Sequence, residues 1–446
     1  KRWMQTVTSA GIAAAGLHRR AEHETVVPAQ LPSFPALIEA GAAKLLAGRP
    51  TREALQVMFT TEFRRSSTLI RPRAGTIVEV RLDRGAIAAG ERRDPICEIE
   101  IELKSGEIAA LFDLAFEIVR AVPVRLDNRS TAQRGYALAA RIEPAPVKAS
   151  TPPLSADMSV EDAFAAVALH CLAHLQDNEI GLLAGRDPEY LHQARVALRR
   201  LRSAFRLFDA AMPGLRSARI LDELKPVGRL LGEARDLDVF ALETLPRAGS
   251  AQQAGAAALR RRAQNARRRA TAAVRAAIAA PEYPAMMLRL VQAISAGQRR
   301  SETARPAAAD VTLLKFATKL LSHRYARAQK WGRRMSQFGL ADFHRLRIRV
   351  KHLRYAIEFF LPLVEHKAQR TLRALIELQE LLGRLNDDAT ACRLLERLSS
   401  ADSSTDYQQA IGFLRGWCAS DGQLCRNQLE DAWKRFEELQ PWWKSP

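Results

Sequence analysis

Two short segments of this chain carry a histidine and several cations at one spacing. Residues 192–208 read HQARVALRRLRSAFRLF and residues 344–360 read HRLRIRVKHLRYAIEFF. Superposed without a gap, His192 falls on His344, Arg195 on Arg347, Arg199 on Lys351, Arg202 on Arg354 and Phe208 on Phe360. Fixed guanidinium and ammonium groups in a row can replace the counterions of a polyanion, and histidine nitrogens can add hydrogen bonds. A repeated stripe of this kind suits something long and negatively charged. A third segment has the opposite sign. Ile96 to Lys104 reads ICEIEIELK, with Glu98, Glu100 and Glu102 at alternate positions. So many carboxylate oxygens suit a hard cation, Mg²⁺ or Mn²⁺, and arginines nearby would suit phosphate oxygens.

The elements that must position these groups follow from periodicity. On a helix turning about 100° per residue, His192, Arg195, Arg199, Arg202 and Arg206 fall within roughly 80°. Leu198, Leu201, Phe205 and Phe208 cluster on the opposite side, the face of a core. In the second copy His344, Arg347, Lys351 and Arg354 line one face, and Leu346, Val350, Leu353, Ile357 and Phe360 the other. Glu358 stands where the first copy has Arg206, so the second stripe is expected to be one cation short and to bind more weakly at that end. A solvated face is the ordinary reading of one basic helix; duplication with the histidine retained favours a binding surface. Ile96 to Lys104 alternates as a strand, with the glutamates and Lys104 on one face and Ile99, Ile101 and Leu103 on the other. That charged face fits a barrel lumen that holds cations and phosphate, or an edge strand facing solvent.

The chain has 446 residues, a net charge of +19 and a pI near 10.3. Residues 151–446 account for +14 of that excess. Such a field attracts nucleic acid, anionic membranes or polyphosphate. Five scattered cysteines without a CxxC pair indicate a reducing compartment and neither disulfides nor structural zinc. No apolar run approaches the roughly 20 residues of a membrane span. The chain opens at Lys1, without an initiator methionine, so an upstream segment is expected.

Strands are expected up to residue 143, interrupted by helices near 36–47 and 108–121. Residues 144–158, PAPVKASTPPLSADM, read as a linker. From Ser159, an N-cap with Asp162, helices are expected near 160–184, 188–211, 217–233, 236–279, 285–297, 310–336, 341–365, 368–385, 388–400 and 405–438. The duplication continues in Leu231-Gly232-Glu233-Ala234-Arg235-Asp236 and Leu382-Gly383-Arg384-Leu385-Asn386-Asp387, where the glycines read as C-caps and the aspartates as N-caps or, beside a basic cluster, as groups that orient an arginine. The fold class expected is α+β multidomain: a partial antiparallel β tunnel followed by two pseudo-symmetric four-helix bundles with their basic helices facing. The seven arginines between 259 and 275 read as a solvated helix connecting the bundles, with an outer phosphate-binding surface as the alternative. His170 and His174 are spaced for one helix face but have no third ligand in sequence.

The helical half resembles the CHAD family through the two His-x-x-Arg-x-x-x-Arg/Lys-x-x-Arg motifs and the paired Leu-Gly…Asp motifs. The resemblance implies two bundles around a basic channel that binds inorganic polyphosphate. The first part is similar to a CYTH domain, the triphosphate-tunnel fold. The matching residues are Gly16-Leu17-His18 with Arg20-x-Glu22, Phe59-x-Thr61-Glu62-Phe63, Leu82-Asp83-x-Gly85, Pro95 to Gly106, and Arg134-Gly135-Tyr136. It implies metal-dependent triphosphate hydrolysis, with Glu98, Glu100 and Glu102 holding Mg²⁺ or Mn²⁺ and positioning water. Arg20, Arg64, Arg81 and Arg134 would grip phosphate. The family's opening strand is not in the sequence, and Thr8 and Thr131 stand where it usually carries lysines. The polyphosphate-binding set is then His192, Arg195, Arg199, Arg202, Arg206, His344, Arg347, Lys351 and Arg354. The expected setting is the cytoplasm, with polyphosphate granules as one location. The rivals are an active inorganic triphosphatase and a nucleic-acid binder; the basic stripes lack the interleaved aromatics of single-strand stacking.

Overall fold

The computed structural model describes residues 3–8, 11–19, 22–28, 33–39, 56–185, 187–212, 215, 217–249, 254–303, 312–364, 368–399, 402–439, 441 and 443. They form two compact units: residues 1–145 with 281–292, and residues 146–280 with 293–446.

In the first unit, β1 (Trp3–Thr8) pairs antiparallel with β4 (Glu22–Val27), and β2 (Ile12–Ala14) with β3 (Leu17–Arg19). A longer meander joins β5 (Thr60–Arg73), β6 (Thr76–Ala89) and β7 (Arg92–Ser105), with β6 in the centre. The expected tunnel wall is therefore three separate antiparallel sheets among the described residues. A short helix α1 (Phe34–Leu37) follows β4; most of the helix expected at 36–47 lies outside the described residues. Helices α2 (Ile108–Ala121) and α3 (Thr131–Ala139) pack on β6 and β7. Gly135 makes the α3 contact possible: a Cβ there would stand 2.3 Å from the Phe59 ring. Tyr136 meets the same ring edge-on at 5.1 Å.

The second unit is helical. Its first bundle comprises α4 (Val160–Ala184), α5 (Pro188–Phe208), α7 (Lys225–Val239) and α8 (Ala256–Ala279), with a short α6 (Ser217–Glu223) before α7. Helix α9 (Glu282–Thr303) follows, and residues 281–292 of it group with the first unit. The second bundle comprises α10 (Leu313–Gly332), α11 (Leu340–Phe360), α12 (Gln369–Ser399) and α13 (Thr405–Glu438). Ser159 caps α4 as expected, its Oγ accepting from the Asp162 amide at 3.0 Å. Gly185 closes the helix in the left-handed region at φ 70°.

Several breaks fall elsewhere than expected. Both Leu-Gly…Asp motifs lie inside unbroken helices, Gly232 within α7 and Gly383 within α12, so neither glycine is a C-cap and neither aspartate an N-cap. The first-bundle chain runs from α7 through a π-helical turn (Phe240–Thr244) to Arg247 before it turns. The arginine-rich helix is no connector. Leu259, Ala263, Val274 and Ile278 of α8 are buried in the first bundle. Three of its arginines are tied down: Arg262 to Asp402 at 3.1 Å, Arg267 to Asp238 at 2.5 Å, and Arg275 to the Leu182 carbonyl at 3.0 Å. Nor is all of 144–158 a free linker. The Val147 amide donates to Asn178 Oδ1 at 3.0 Å, and His170 and His174 bond the Ser150 and Val147 carbonyls at 3.1 and 2.9 Å. The two histidines fasten this strap onto α4.

The bundles share a core. Phe208 and Phe360, equivalent positions of the repeat, approach to 5.9 Å, with Phe316 stacked on Phe208 at 5.4 Å. At the other end, Leu237, Phe240 and Leu245 pack with Leu395, Tyr407, Ile411 and Leu414. These two apolar clusters hold the cationic helices α5 and α11 side by side.

Candidate functional site

Between α5 and α11 lies a concentration of positive charge with little to answer it. Arg199, Arg202, Arg206, Arg347 and Lys351 form no ion pair with a described residue. The Nε atoms of Arg199, Arg202 and Arg347 and the Nδ1 of His192 are buried and without a hydrogen-bond partner among the described residues. Such atoms lose water without gaining a partner, which is costly unless something else binds there. The groups feel one another. Burial, then Arg199, Arg347, Arg195 and Arg206, push the Lys351 ammonium down to about 7. Burial also holds Arg195, Arg202 and Arg347 below the ordinary arginine value. The counter-charges are few. Asp236 pairs with Arg195 at 3.6 Å, and Asp387 is an electrostatic partner of Arg347.

The two histidines of the repeat differ from each other. Burial and the neighbouring Arg235 push His192 down to about 4, so it is neutral at pH 7. His344 is exposed, its Nδ1 3.1 Å from Asn386 Oδ1. Arg354 and Glu358 also depart from the expected stripe. Glu358 accepts from Arg354 at 2.7 Å and makes a very short contact with Arg200 of α5. Arg354 is thus committed to protein. Glu358 does not merely shorten the second stripe; it clamps α11 to α5.

In the first unit the glutamates lie on one sheet face. Register places Glu98 opposite Asp83 and Arg65, Glu100 opposite Arg81 and Ser67, and Glu102 opposite Glu79 and Leu69. Lys104 shares that face. Arg64 does not: it pairs with Arg84 and Cys97 on the other side, and Arg65 is the arginine of that pair on the glutamate face. The face is internally paired. Arg65 binds Asp83 at 2.6 and 2.8 Å and Glu100 at 3.3 Å. Arg81 binds Glu79 at 2.6 Å and Glu102 at 2.7 Å, and Lys104 binds Glu102 at 2.8 Å. Arg134 reaches Asp94 at 2.9 Å and Glu98 at 3.5 Å, and Thr131 Oγ1 donates to Glu98 at 3.1 Å. Burial raises the Glu100 carboxyl, with Arg65 opposing. Glu98, Glu100 and Glu102 do not bring their oxygens together into a cation site. Among the described residues the one such gathering is Asp388, Asp421 and Cys425. As arranged, each of the three glutamates is engaged by cations of its own unit: Glu98 by Arg134, Glu100 by Arg65, and Glu102 by Arg81 and Lys104. Arg20 lies outside the described residues.

Comparison with known proteins decides the family. A model of the CHAD domain matches residues 166–396. The chain belongs to the CHAD family. A model of the CYTH domain matches residues 1–136, so a CYTH part precedes the CHAD part in one chain. The crystal structure of the CHAD domain from the plant Ricinus communis is similar, with a TM-score of 0.59 and 34% identity, over 67% of this chain and 98% of that one. An inorganic triphosphatase of Haemophilus influenzae is 33% identical over 143 residues, 30% of this chain. The chain spans 38% of the length of that relative.

The CHAD groove also contains cations outside the two motifs. Arg324, on α10, is lowered by burial and then by Arg327 and Arg206. His352, pushed down to about 3 by burial and Arg324, lies beside Lys351. Arg235 and Arg393 flank Asp236. Arg324 and Arg393 lie in neither repeated motif, and packing of α10 and α12 beside the basic helices brings them in; Arg235 belongs to the repeated Leu-Gly…Asp motif and His352 to the second basic segment. No helix among the described residues is long and apolar enough to cross a membrane.

Proposed function

We propose that the CHAD part binds inorganic polyphosphate along the groove between α5 and α11, and that the CYTH part is a triphosphatase-like segment serving the same phosphate chemistry. On this reading the CYTH part covers residues 1–143 and the CHAD part 159–446. One observation carries the proposal: unpaired, half-buried cations from both repeats, Arg199, Arg202, Arg347 and Lys351, crowd one groove. A flexible, densely charged chain can answer several of them at once without a base-reading surface. The resting groove leaves donors unsatisfied and cations repelling one another, and a bound polyanion relieves both.

The experiment is retention of long-chain inorganic polyphosphate by the wild-type chain and by R199E/K351E, with duplex DNA as competitor. Retention is expected to fall steeply with salt, log affinity against log salt having a slope of about −3.5 if roughly five cations are neutralised. The double variant should fold and lose retention. Retention equal to wild type would refute the groove, and displacement by DNA at equal phosphate would favour the nucleic-acid reading. Phosphate release from triphosphate, assayed beside it with Mg²⁺ or Mn²⁺, tests the enzyme reading. The pairing of Glu98, Glu100 and Glu102 with their own cations argues for little release by this chain.

A further inference from the structure

Helix α7 carries Gly228 and Gly232 one turn apart in its interior, where glycine is the least favourable residue short of proline. Neither has a positive φ, so neither is needed for a turn. The reason is steric. A Cβ on Gly232 would stand 2.6 Å from Arg195 Nη1. One on Gly228 would stand 3.3 Å from Arg202 Nη1 and 3.4 Å from Leu198 Cδ2. Asp236 follows on the same face at the next turn and pairs with Arg195 at 3.6 Å. The bare stripe Gly228–Gly232 thus seats two groove arginines against the α7 backbone. Beyond Arg202 it opens into a cleft of about 400 Å³ lined with Arg229, Lys225 and Asp222, the last two paired at 2.7 Å. The repeat supplies its own control. Gly383, the counterpart of Gly232 in α12, has nothing within 4 Å of a built Cβ.

We infer that Gly228 and Gly232 are positioning residues for anion binding, resting on the polyphosphate reading above. They let Arg195 lie against α7 beside Arg199 and Arg347, and Arg202 lie against it beside Arg206, where one extended anion can meet them in turn. A methyl group at 232 lifts Arg195 off its seat, since the atom it meets is the free end of a flexible side chain. The fold tolerates that displacement; the charge constellation does not.

Stability and affinity should therefore move in opposite directions. G383A is expected to raise Tm by about 2 °C and leave the Kd for long-chain inorganic polyphosphate unchanged. G232A is expected to keep or raise Tm and to weaken binding about fivefold to tenfold, the scale of one displaced charge contact. Arg195→Ala in both backgrounds closes a cycle. If the glycine acts through Arg195, R195A and G232A/R195A bind equally. Should G232A lower Tm, that cycle still decides, because a purely structural loss would add to R195A. G232A binding as tightly as a wild type that retains polyphosphate would overturn the seat alone. A wild type that retains none would overturn the polyphosphate reading and the inference with it.

Discussion

Lys351 should make polyphosphate binding weaken as pH rises from 6 to 8, a range in which an ordinary lysine stays fully charged and gives no dependence. Its ammonium is pushed down to about 7, first by burial and then by Arg199, Arg347, Arg195 and Arg206. In the free protein it is therefore about nine-tenths charged at pH 6, half at pH 7 and one-tenth at pH 8. A bound polyanion returns the charge it lacks and restores the ordinary lysine pKa. Binding then takes up a proton, about half of one at pH 7 and nearly a whole one at pH 8. The apparent affinity falls about fivefold from pH 7 to 8 and approaches tenfold per unit above that. Calorimetric titration in two buffers of different ionisation enthalpy reads the uptake directly. In K351R the uptake should vanish, because arginine stays charged. In the free protein His192, at about 4, and His352, at about 3, are neutral from pH 6 to 8, so the part of the uptake lost in K351R is that of Lys351. The free protein shows the same group in reverse. A lysine whose folded pKa lies below its unfolded value leaves the unfolded chain holding more protons, so stability rises with pH between about 7 and 10. Affinity constant from pH 6 to 8, or a slope that survives in K351R, would refute the argument.

Two further perturbations separate stability from binding. E358Q should destabilise the fold by about 3 kcal/mol, since it leaves Arg200 buried without its counter-charge, while binding per folded molecule holds or improves because Arg354 is released; urea unfolding and a binding isotherm check both parts, and unchanged stability would count against the clamp. Asp388 is pushed up to about 7 by burial and then by Asp421, which Arg247 and Arg384 already hold at 2.9 and 2.8 Å. Its raised pKa contributes stability that is full below about 4 and lost as pH rises through 7, so D388N should melt higher than wild type at pH 8 and not at pH 5; equal shifts at both pH values would sink this reading.

What was legible in the sequence was whatever depends on one element's own periodicity. The α5 and α11 stripes, the Ser159 cap and the acidic face of β7 all followed from spacing. What was hidden depends on the partner across an interface. The pair Arg64-Arg65 offers two candidates of opposite parity, and only the pairing of Arg65 with Asp83 shows which shares the glutamate face. Gly232 looked like a helix end because its neighbour Arg195, 37 positions away, is invisible to local reading. Arg324 belongs to a helix with no motif and enters the groove only because α10 packs on α11. His192 is kept neutral by burial and then by Arg235, neither of which its own helix announces.

The two copies of the basic helix differ where symmetry would be most harmful. Identical cationic stripes placed side by side repel over their whole length, and the repulsion grows as water is removed. Position 206 of the first copy is arginine, whereas its counterpart 358 is glutamate, the residue that crosses to Arg200 and binds Arg354. Position 199 is arginine, whereas its counterpart 351 is lysine, whose ammonium can shed its proton where a guanidinium cannot. Both exchanges lower the charge that the empty groove must carry. On the proposed polyphosphate reading they act differently once a polyanion binds: Glu358 keeps its place in the clamp, and Lys351 regains its proton. The first exchange holds the groove together permanently, and the second lets its charge rise only when there is something to bind.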